Sequence, residues 1–551
     1  MKKLLNTPLD NFYKWEKKKP SKEFLIQPIH GIYNKYSWER VGQEARKMCS
    51  YIHSLNLPKK SKIAILSKNC AHWIIADLAI MMSENISVPI YANVKGKTAK
   101  YILEHSESKL LFIGKLEDSD WIEIKDNIPK EIVKVDFGHY DLNSSFQKWD
   151  DIILNQNAIE DDPAINIDDI ITIIYTSGTT GTPKGVVLTY KSVVIATKNL
   201  NHLVPLKEDD RFISYLPLSH IAERALVEQG GISSGGKIFF VESLETFAKN
   251  LKFSKPTIFF GVPRIYTKFM TKIISIFSQK TIDIIMKIPI ISNLFSALIR
   301  KSLGLNNSRI CVTGAASIPV TTLEWFNKFK IKIYEAYGMS ENAACSHGNY
   351  PNNIKFGTVG KAMPNTDVKI TEKGEIIMKN ECIMKGYYKE EELTNETIKN
   401  GYLYTGDKGK IDDDGYLTIT GRIKDIFKTS KGKYVAPNPI EMKFSKNKNI
   451  EQICVVGINL VQPIGLVVLS DSAIEKNKSN LKLSLSNTLE EINKQIDSHE
   501  KIEKIIIVKD QWTTENDILT PTMKIKRNKI DELYESDYIK WYESSEKIIW
   551  E

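Results

Sequence analysis

At 551 residues the chain is too long for one ordinary hydrophobic core, so about two to four compact units are expected. Its 42% hydrophobic and 26% charged residues are ordinary for a globular protein and argue against a disordered or fibrous chain. The net charge of +9 is scattered, without a basic stripe interleaved with aromatics, which argues against a nucleic-acid surface and favours small anionic partners.

Cys49, Cys70, Cys311, Cys345, Cys382 and Cys454 lie far apart with no Cys-x-x-Cys pair, so neither a zinc site nor a disulfide framework is expected, and a reducing cytoplasm fits. The opening Met-Lys-Lys-Leu-Leu meets Asn6, Pro8 and Asp10 at once, too early for a signal-peptide core. No segment offers eighteen uninterrupted apolar residues. The nearest, 282–299, contains Asp283, Lys287, Pro289 and Asn293. A cytoplasmic location is therefore expected, with peripheral association on the cytoplasmic membrane face left open, as is homodimerisation.

In chain order, strand-like runs alternate with helix-like ones. Ile63–Leu66 precedes a helical pattern through Trp73, Ile74, Leu78 and Met81, and Ile86–Tyr91 reads as extended again. Leu110–Ile113, Lys237–Val241, Thr257–Phe260 and Arg309–Thr313 repeat the theme. Such alternation predicts α/β layers with largely parallel sheets. Ile273–Leu305 is apolar at helical spacing with lysines and an arginine between. It reads equally as a membrane-surface or acyl-tunnel helix pair and as an amphipathic hairpin packed on the core. From Gly374 to Thr420 the texture turns to short strands, with Asp412-Asp413-Asp414-Gly415 as a turn signal. Beyond Gly421-Arg422, strand patterns at Ile453–Val456 and Lys504–Val508 flank a helix through Leu481, Leu485, Leu489 and Ile496. This predicts a separate small α+β unit, and the chain divides into 1–421 and 422–551.

The chemistry-bearing motifs start at Tyr175–Gly185, which follows the apolar run Ile170–Ile174. Its hydroxyls, glycines and single lysine, Lys184, suit a polyanion: glycines let backbone amides close on phosphate oxygens, and the lysine adds charge. The spacing is not that of a Walker loop. Tyr334–Glu341 follows the short strand Ile331–Tyr334 and offers Glu341 as an oxygen ligand for a hard cation and Tyr337 as a flat face for a base. In Tyr404-Thr405-Gly406-Asp407 a carboxylate behind a turn glycine can accept two ribose hydroxyl protons. Arg422 and Lys424 follow in Gly421–Asp425, and Lys524 lies in the tail Leu519–Arg527. The eleven positions Tyr175–Gly185 after a strand read as a loop that grips a nucleotide triphosphate, whereas each later segment taken singly reads as readily as a helix N-terminal charge, a turn, a salt bridge or a solvated face.

In this order, the set resembles the adenylate-forming superfamily of acyl-CoA synthetases, luciferases and peptide-synthetase adenylation domains, over nearly the whole chain. That resemblance implies a large N-terminal α/β domain of layered sheets and helices, with a small mobile α+β C-terminal domain carrying the catalytic lysine. Its implied cofactor is Mg²⁺, with ATP and coenzyme A as cosubstrates. Thr176, Ser177, Gly178, Thr179, Thr180, Gly181 and Lys184 then hold the β- and γ-phosphates. Gly314, Ala315 and Ala316 border adenine and the substrate carboxyl, Tyr337 stacks on adenine beside Gly338, and Ser340 holds the α-phosphate. Glu341 binds Mg²⁺, Asp407 takes the ribose hydroxyls with Arg422 beside it, and Lys424 is the hinge. Lys524 bridges carboxylate and α-phosphate. Domain rotation then exchanges Lys524 for the loop Lys431–Tyr434, where Gly432 lets a pantetheine arm pass.

Leu216–Arg224, Gly261–Tyr266, Tyr434–Pro437 and the Thr-Pro-Thr-Met-Lys tail resemble the long-chain fatty acyl-CoA synthetase branch in particular. There His220 lines the acyl pocket, and Tyr266 stands where an aromatic, often tryptophan, gates the acyl tunnel. Tyr190 replaces a histidine often found after the phosphate loop. The function implied is a Mg²⁺-dependent long-chain fatty acid–CoA ligase. The alternatives are an adenylating enzyme that loads a separate carrier protein and a non-catalytic acyl- or nucleotide-binding scaffold.

Overall fold

The computed structural model describes residues 5–142, 144–177, 182–520 and 523–551. Its largest sheet takes the strands in the order Gly386–Tyr387, Pro183–Thr189, Ile170–Ser177, Ile86–Ile90, Lys62–Leu66, Leu110–Ile113, Val133–Asp136 and Gln147–Lys148. The pairings are parallel from Ile170–Ser177 outward to Gln147–Lys148 and antiparallel at the other edge. The mixed α/β character follows from the pattern of the chain. Strands such as Leu110–Ile113 are buried along their whole length, as a sheet covered on both faces requires. The Ala71–Met82 helix is buried all round, which is why its apolar residues show no polar face.

A second sheet joins Arg211–Ser214, Lys237–Phe240, Glu23–Ile29 and Ile32–Ser37. A third joins Ile258–Phe260, Ile310–Thr313, Ile333–Tyr337, His347–Gly348 and Lys361–Ala362. A small antiparallel sheet built on Glu375–Lys379 and Tyr402–Ile411 follows and ends in Leu417–Arg422. Two differences from the sequence pattern matter for the site. Ile170–Ser177 and Pro183–Thr189 form an antiparallel pair, with Thr176 opposite Lys184, so Lys184 stands on a strand of the same sheet as the apolar run. The third-sheet strand begins at Ile333 and continues to Tyr337, which puts Glu335 inside it.

The last sheet runs Ile450–Val456, Ile464–Leu469, Ile505–Ile507, Ile548–Trp550. Its alternation is strict: Ile453, Val455, Val467 and Ile505 pack to one face, against the Lys478–Asn493 helix, and Cys454, Val456, Leu466 and Ile506 to the other. These two clusters draw only on residues beyond 426.

One buried charge cluster ties helices to the largest sheet. Arg224, 3% exposed, donates to Asp77 at 2.6 Å, to Glu228 at 3.1 Å and to the Thr172 hydroxyl at 2.7 Å, and lies over the Trp73 ring. It sits in the π-helical turn Arg224–Glu228, which widens the helix where the guanidinium turns inward. Burial pushes the Glu228 carboxyl up to about 8. Replacing Arg224 with leucine strips the counter-charge from two buried carboxyls. Unfolding free energy in a urea titration is expected to fall by about 3–5 kcal/mol.

Candidate functional site

A cleft of about 2440 Å³ opens between the N-terminal sheets and the C-terminal unit. On its N-terminal side lie Thr176 and Lys184 at the hairpin base, Gly314–Ala316 after the strand Ile310–Thr313, and Tyr337–Glu341 after the neighbouring strand. Asp407, Arg422, Lys424, Gly432 and Lys524 complete it, and His220 also lines it. Gly178, Thr179, Thr180 and Gly181 lie outside the described residues, as do Pro521 and Thr522 of the tail, and nothing is stated of the Ser177 side chain.

Local backbone explains several of these residue types. A Cβ on Gly338 would come within 2.4 Å of the Ala344 carbonyl carbon, and one on Gly314 within 2.9 Å of the Ala336 carbonyl oxygen. Both turns fold onto neighbouring backbone too closely for a side chain. Ala315, Ala343 and Ala344 adopt φ of 67°, 52° and 59°, left-handed values that cost non-glycine residues about 1–3 kcal/mol each and that packing must hold in place. Gly432, at φ 75°, closes a turn in which its N–H donates to the Thr429 carbonyl at 2.9 Å.

Asp407 is the best-defined anion of the cleft. The Tyr337 hydroxyl donates to one of its oxygens at 2.6 Å and Arg422 Nε to the other at 2.9 Å. Burial, and then the Asp407 charge, raise the Tyr337 hydroxyl well above the ordinary tyrosine value, so it remains a donor. Glu341 stands in the short turn Ser340–Asn342, accepts from the Tyr387 hydroxyl at 2.9 Å and keeps its carboxylate at the cleft. No cluster of three or more metal-ligating side chains occurs among the described residues. A single carboxylate facing a cationic phosphate-type site still suits Mg²⁺, which is held by one or two carboxylates, several waters and substrate phosphates.

Cations converge on the same space. Lys184 lies 5.6 Å from the centre of the Tyr387 ring, and burial and the nearby Lys424 lower its pKa. The tail turn carrying Lys524 is closed by the Thr520 N–H donating to the Lys524 carbonyl at 2.8 Å and the Lys524 N–H donating to the Thr520 hydroxyl at 3.0 Å. Its neighbours are anchored: Lys526 pairs with Asp517 at 2.6 Å and Arg527 with Glu441 at 2.6 Å. Lys524 itself is open to the cleft but surrounded by protein. That surrounding and the Arg422 cation hold its pKa below the usual lysine value, against the pull of Asp407 and Glu341. An ion pair between Arg264 and Glu451 joins the two sides.

The Ala222 N–H donates to His220 Nδ1 at 3.2 Å, so the neutral ring carries its proton on Nε2. Burial and the Lys524 charge lower His220 to about 4. Tyr266 departs from expectation. It is fully buried, absent from the cleft wall, donates to the Val312 carbonyl at 3.1 Å and packs edge-on against Phe259 and Phe326. It is a core anchor here and not a gate, because the helix Pro263–Ile276 turns Arg264, Thr267 and Lys268 to the cleft and Tyr266 inward.

Sequence reasoning missed three features. Tyr387 holds Glu341 but lies in a stretch with no distinguishing signal. Glu335 lines the cleft at 8% exposure, with its carboxyl pushed up to about 8 by burial; a carboxylate inside an apolar strand was the available clue. An apolar wall of Ala196, Leu200, Leu203, Ile221, Ala225 and Leu226 also lines the cleft, on helices whose residues read only as core.

The arrangement makes one solution test available. Lys524→Ala removes a cation facing His220, so the imidazole pKa should rise from about 4 toward the ordinary histidine value. Titration of the His220 ring signals by NMR checks this, and an unmoved pKa would mean that Lys524 does not occupy this place in solution.

Comparison with known proteins accords with this geometry. The chain is 27% identical, over 95% of each chain, to a Mycobacterium bovis protein named long-chain-fatty-acid–CoA ligase FadD15. It is 28% identical to long chain acyl-CoA synthetase 5 of Arabidopsis thaliana, over 94% of this chain and 89% of that protein. The solved structure of anthranilate CoA ligase AuaEII, in complex with anthranoyl-AMP, shares the fold with a TM-score of 0.81 at 20% identity, covering 97% of this chain and 98% of that one. The family model for AMP-binding enzyme matches residues 12–388, and that for AMP-binding enzyme C-terminal domain matches residues 424–546. With well over half of its length matched, and with the cleft lying between the two matched regions, the chain belongs to the AMP-binding enzyme family.

Proposed function

We propose that the chain is a long-chain fatty acid–CoA ligase, with a large unit 1–421 and a small unit 422–551 that moves about Lys424. One observation carries the reading. A clamped carboxylate, a metal-type carboxylate, several cations and an apolar wall face one cleft, with Lys524 supplied from the small unit. Among the described residues no helix is long and apolar enough to cross a membrane.

In the first half-reaction a fatty acid carboxylate oxygen attacks the α-phosphorus of ATP. The bond from that phosphorus to the bridging oxygen of the β-phosphate breaks, and pyrophosphate leaves with the electron pair. Two anions must meet, so the site has to neutralise charge as five-coordinate phosphorus forms. Lys524 bridges the carboxylate and the α-phosphate, with Ser340 at the α-phosphate. Thr176 and Lys184, with Ser177, Gly178, Thr179, Thr180 and Gly181, hold the leaving pyrophosphate. Asp407 accepts from the ribose hydroxyls, kept in place by Tyr337 and Arg422, while Tyr337 and Gly338 meet the base opposite Gly314–Ala316. Mg²⁺ held by Glu341 supplies further positive charge to the phosphates when bound. His220 presents its Nε2–H to the acyl end, and the Leu200–Leu226 wall receives the chain. In the second half-reaction the small unit turns about Lys424, withdrawing Lys524 and bringing up Gly432. The coenzyme A sulfur attacks the acyl carbon, the bond from that carbon to the AMP phosphate oxygen breaks, AMP leaves with the electron pair, and the thiol proton passes to solvent.

The reading is tested by pyrophosphate release from ATP and Mg²⁺ with palmitate, followed by thioester formation with free coenzyme A. Acyl transfer only to a phosphopantetheinyl carrier would replace it, and no release with any carboxylate would end it. Lys524→Ala is expected to slow adenylation by about a hundredfold or more, as when a charge-stabilising contact to the transition state is lost. Thioester formation from supplied acyl-adenylate should fall far less, and equal losses in both halves would remove the role given to Lys524.

A further inference from the structure

The helical hairpin following the cleft helix carries apolar side chains on both faces. In the Pro289–Ser302 helix, Phe295 and Ile299 point inward, whereas Ile290, Leu294 and Leu298 recur at intervals of four on the solvent side, 76%, 68% and 54% exposed. Ile284 of the preceding helix Gln279–Ile285, together with Ile288 and Ile291, extends the same exposed surface. Other exposed large hydrophobics, such as Leu154 and Leu244, are distant from one another in sequence. A contiguous patch of this kind marks an interaction surface, whereas single exposed residues need no explanation.

Its charge identifies the occupant. Lys272, Lys280, Lys287, Arg300 and Lys301 flank the patch, and the one acid within 272–302, Asp283, is paired with Lys328 at 3.0 Å. A second copy of this chain would oppose lysines to lysines. Helices of 7 and 14 residues are too short to span a bilayer but suited to lie in its interface. We propose that this hairpin docks on an anionic lipid surface, with Ile290, Leu294 and Leu298 in the acyl boundary and the lysines at the phosphates.

The placement deepens the fatty-acid reading, on which its purpose rests. Along the Pro263–Ile276 helix, Arg264, Thr267, Lys268, Thr271, Lys272 and Ser275 line the cleft, half-buried at the start and exposed at the end. The cleft therefore extends along this helix to its junction with the docking hairpin, so that docking would bring its mouth to the lipid surface.

Co-sedimentation of the full chain with equimolar phosphatidylcholine–phosphatidylglycerol vesicles tests the proposal without requiring turnover. Binding is expected, weakened by salt, and absent with phosphatidylcholine alone. The exposed double variant Leu294→Glu, Leu298→Glu should lose about tenfold or more in vesicle affinity. It should keep the wild-type pyrophosphate release on fatty acid supplied in solution and lose turnover of acid supplied in vesicles. Wild-type protein that does not sediment, sedimentation unaffected by the double variant, or a dimer by light scattering that the variant dissociates would each overturn it. Vesicle binding by a chain that adenylates no acid would overturn the ligase reading and leave the docking surface standing.

Discussion

The constraint on which the site depends is the crowding of like charge. Lys184, Lys424, Arg422 and Lys524 share one cleft, and burial, with the neighbouring cations adding to it, lowers the pKa values of Lys184 and Lys524. Such a cluster is tolerable for two reasons. Asp407 and Glu341 stand among the cations, and the substrates proposed for the site bring several negative charges of their own. Lys524 sits on a separate unit, held to the rest near the cleft by contacts such as Arg264 with Glu451.

The N-terminal scaffold answers this by fixing its side of the cleft firmly. Arg224, Asp77 and Glu228 lock helices to the largest sheet from within, and the turns at Gly314 and Gly338 press against backbone that admits no side chain. The strain at Ala315, Ala343 and Ala344 is held by that frame. On the other side, Lys524 depends on a short turn anchored by Lys526 and Arg527 to the small unit alone. In the proposed mechanism one half of the chemistry is placed by this scaffold and the other is delivered by the small unit.

The expectations from sequence succeeded where chemistry is written locally. Strands such as Leu110–Ile113 and the helix Ala71–Met82 stand where periodicity placed them, because their burial is uniform. Of the residues named for the site whose side chains are described, all but Tyr266 line the cleft. Tyr266 failed because helix phase decides which of three neighbouring side chains faces a cavity, and a motif does not encode phase. The stretch 273–305 was legible as amphipathic, yet its two alternatives could not be separated, since apolar residues on opposite faces look alike along a line. Ile273, Ile282 and Phe295 are core and Leu294 and Leu298 are surface.

By itself, then, the order of residues determined the kind of chemistry. Glycines, hydroxyls, a lysine and two carboxylates in that succession resemble one family's motifs, and the phosphate, metal and ribose contacts proposed for them follow from that resemblance and from the local stereochemistry such contacts require. Only the tertiary structure decided which groups meet. It placed Tyr337 and Arg422 on opposite oxygens of Asp407, put Tyr387 beside Glu341, buried Glu335, and built an apolar wall from residues that carry no motif. Those contacts arise from packing between distant segments, and the free energy that selects them is spread over whole cores rather than written in any one stretch of chain.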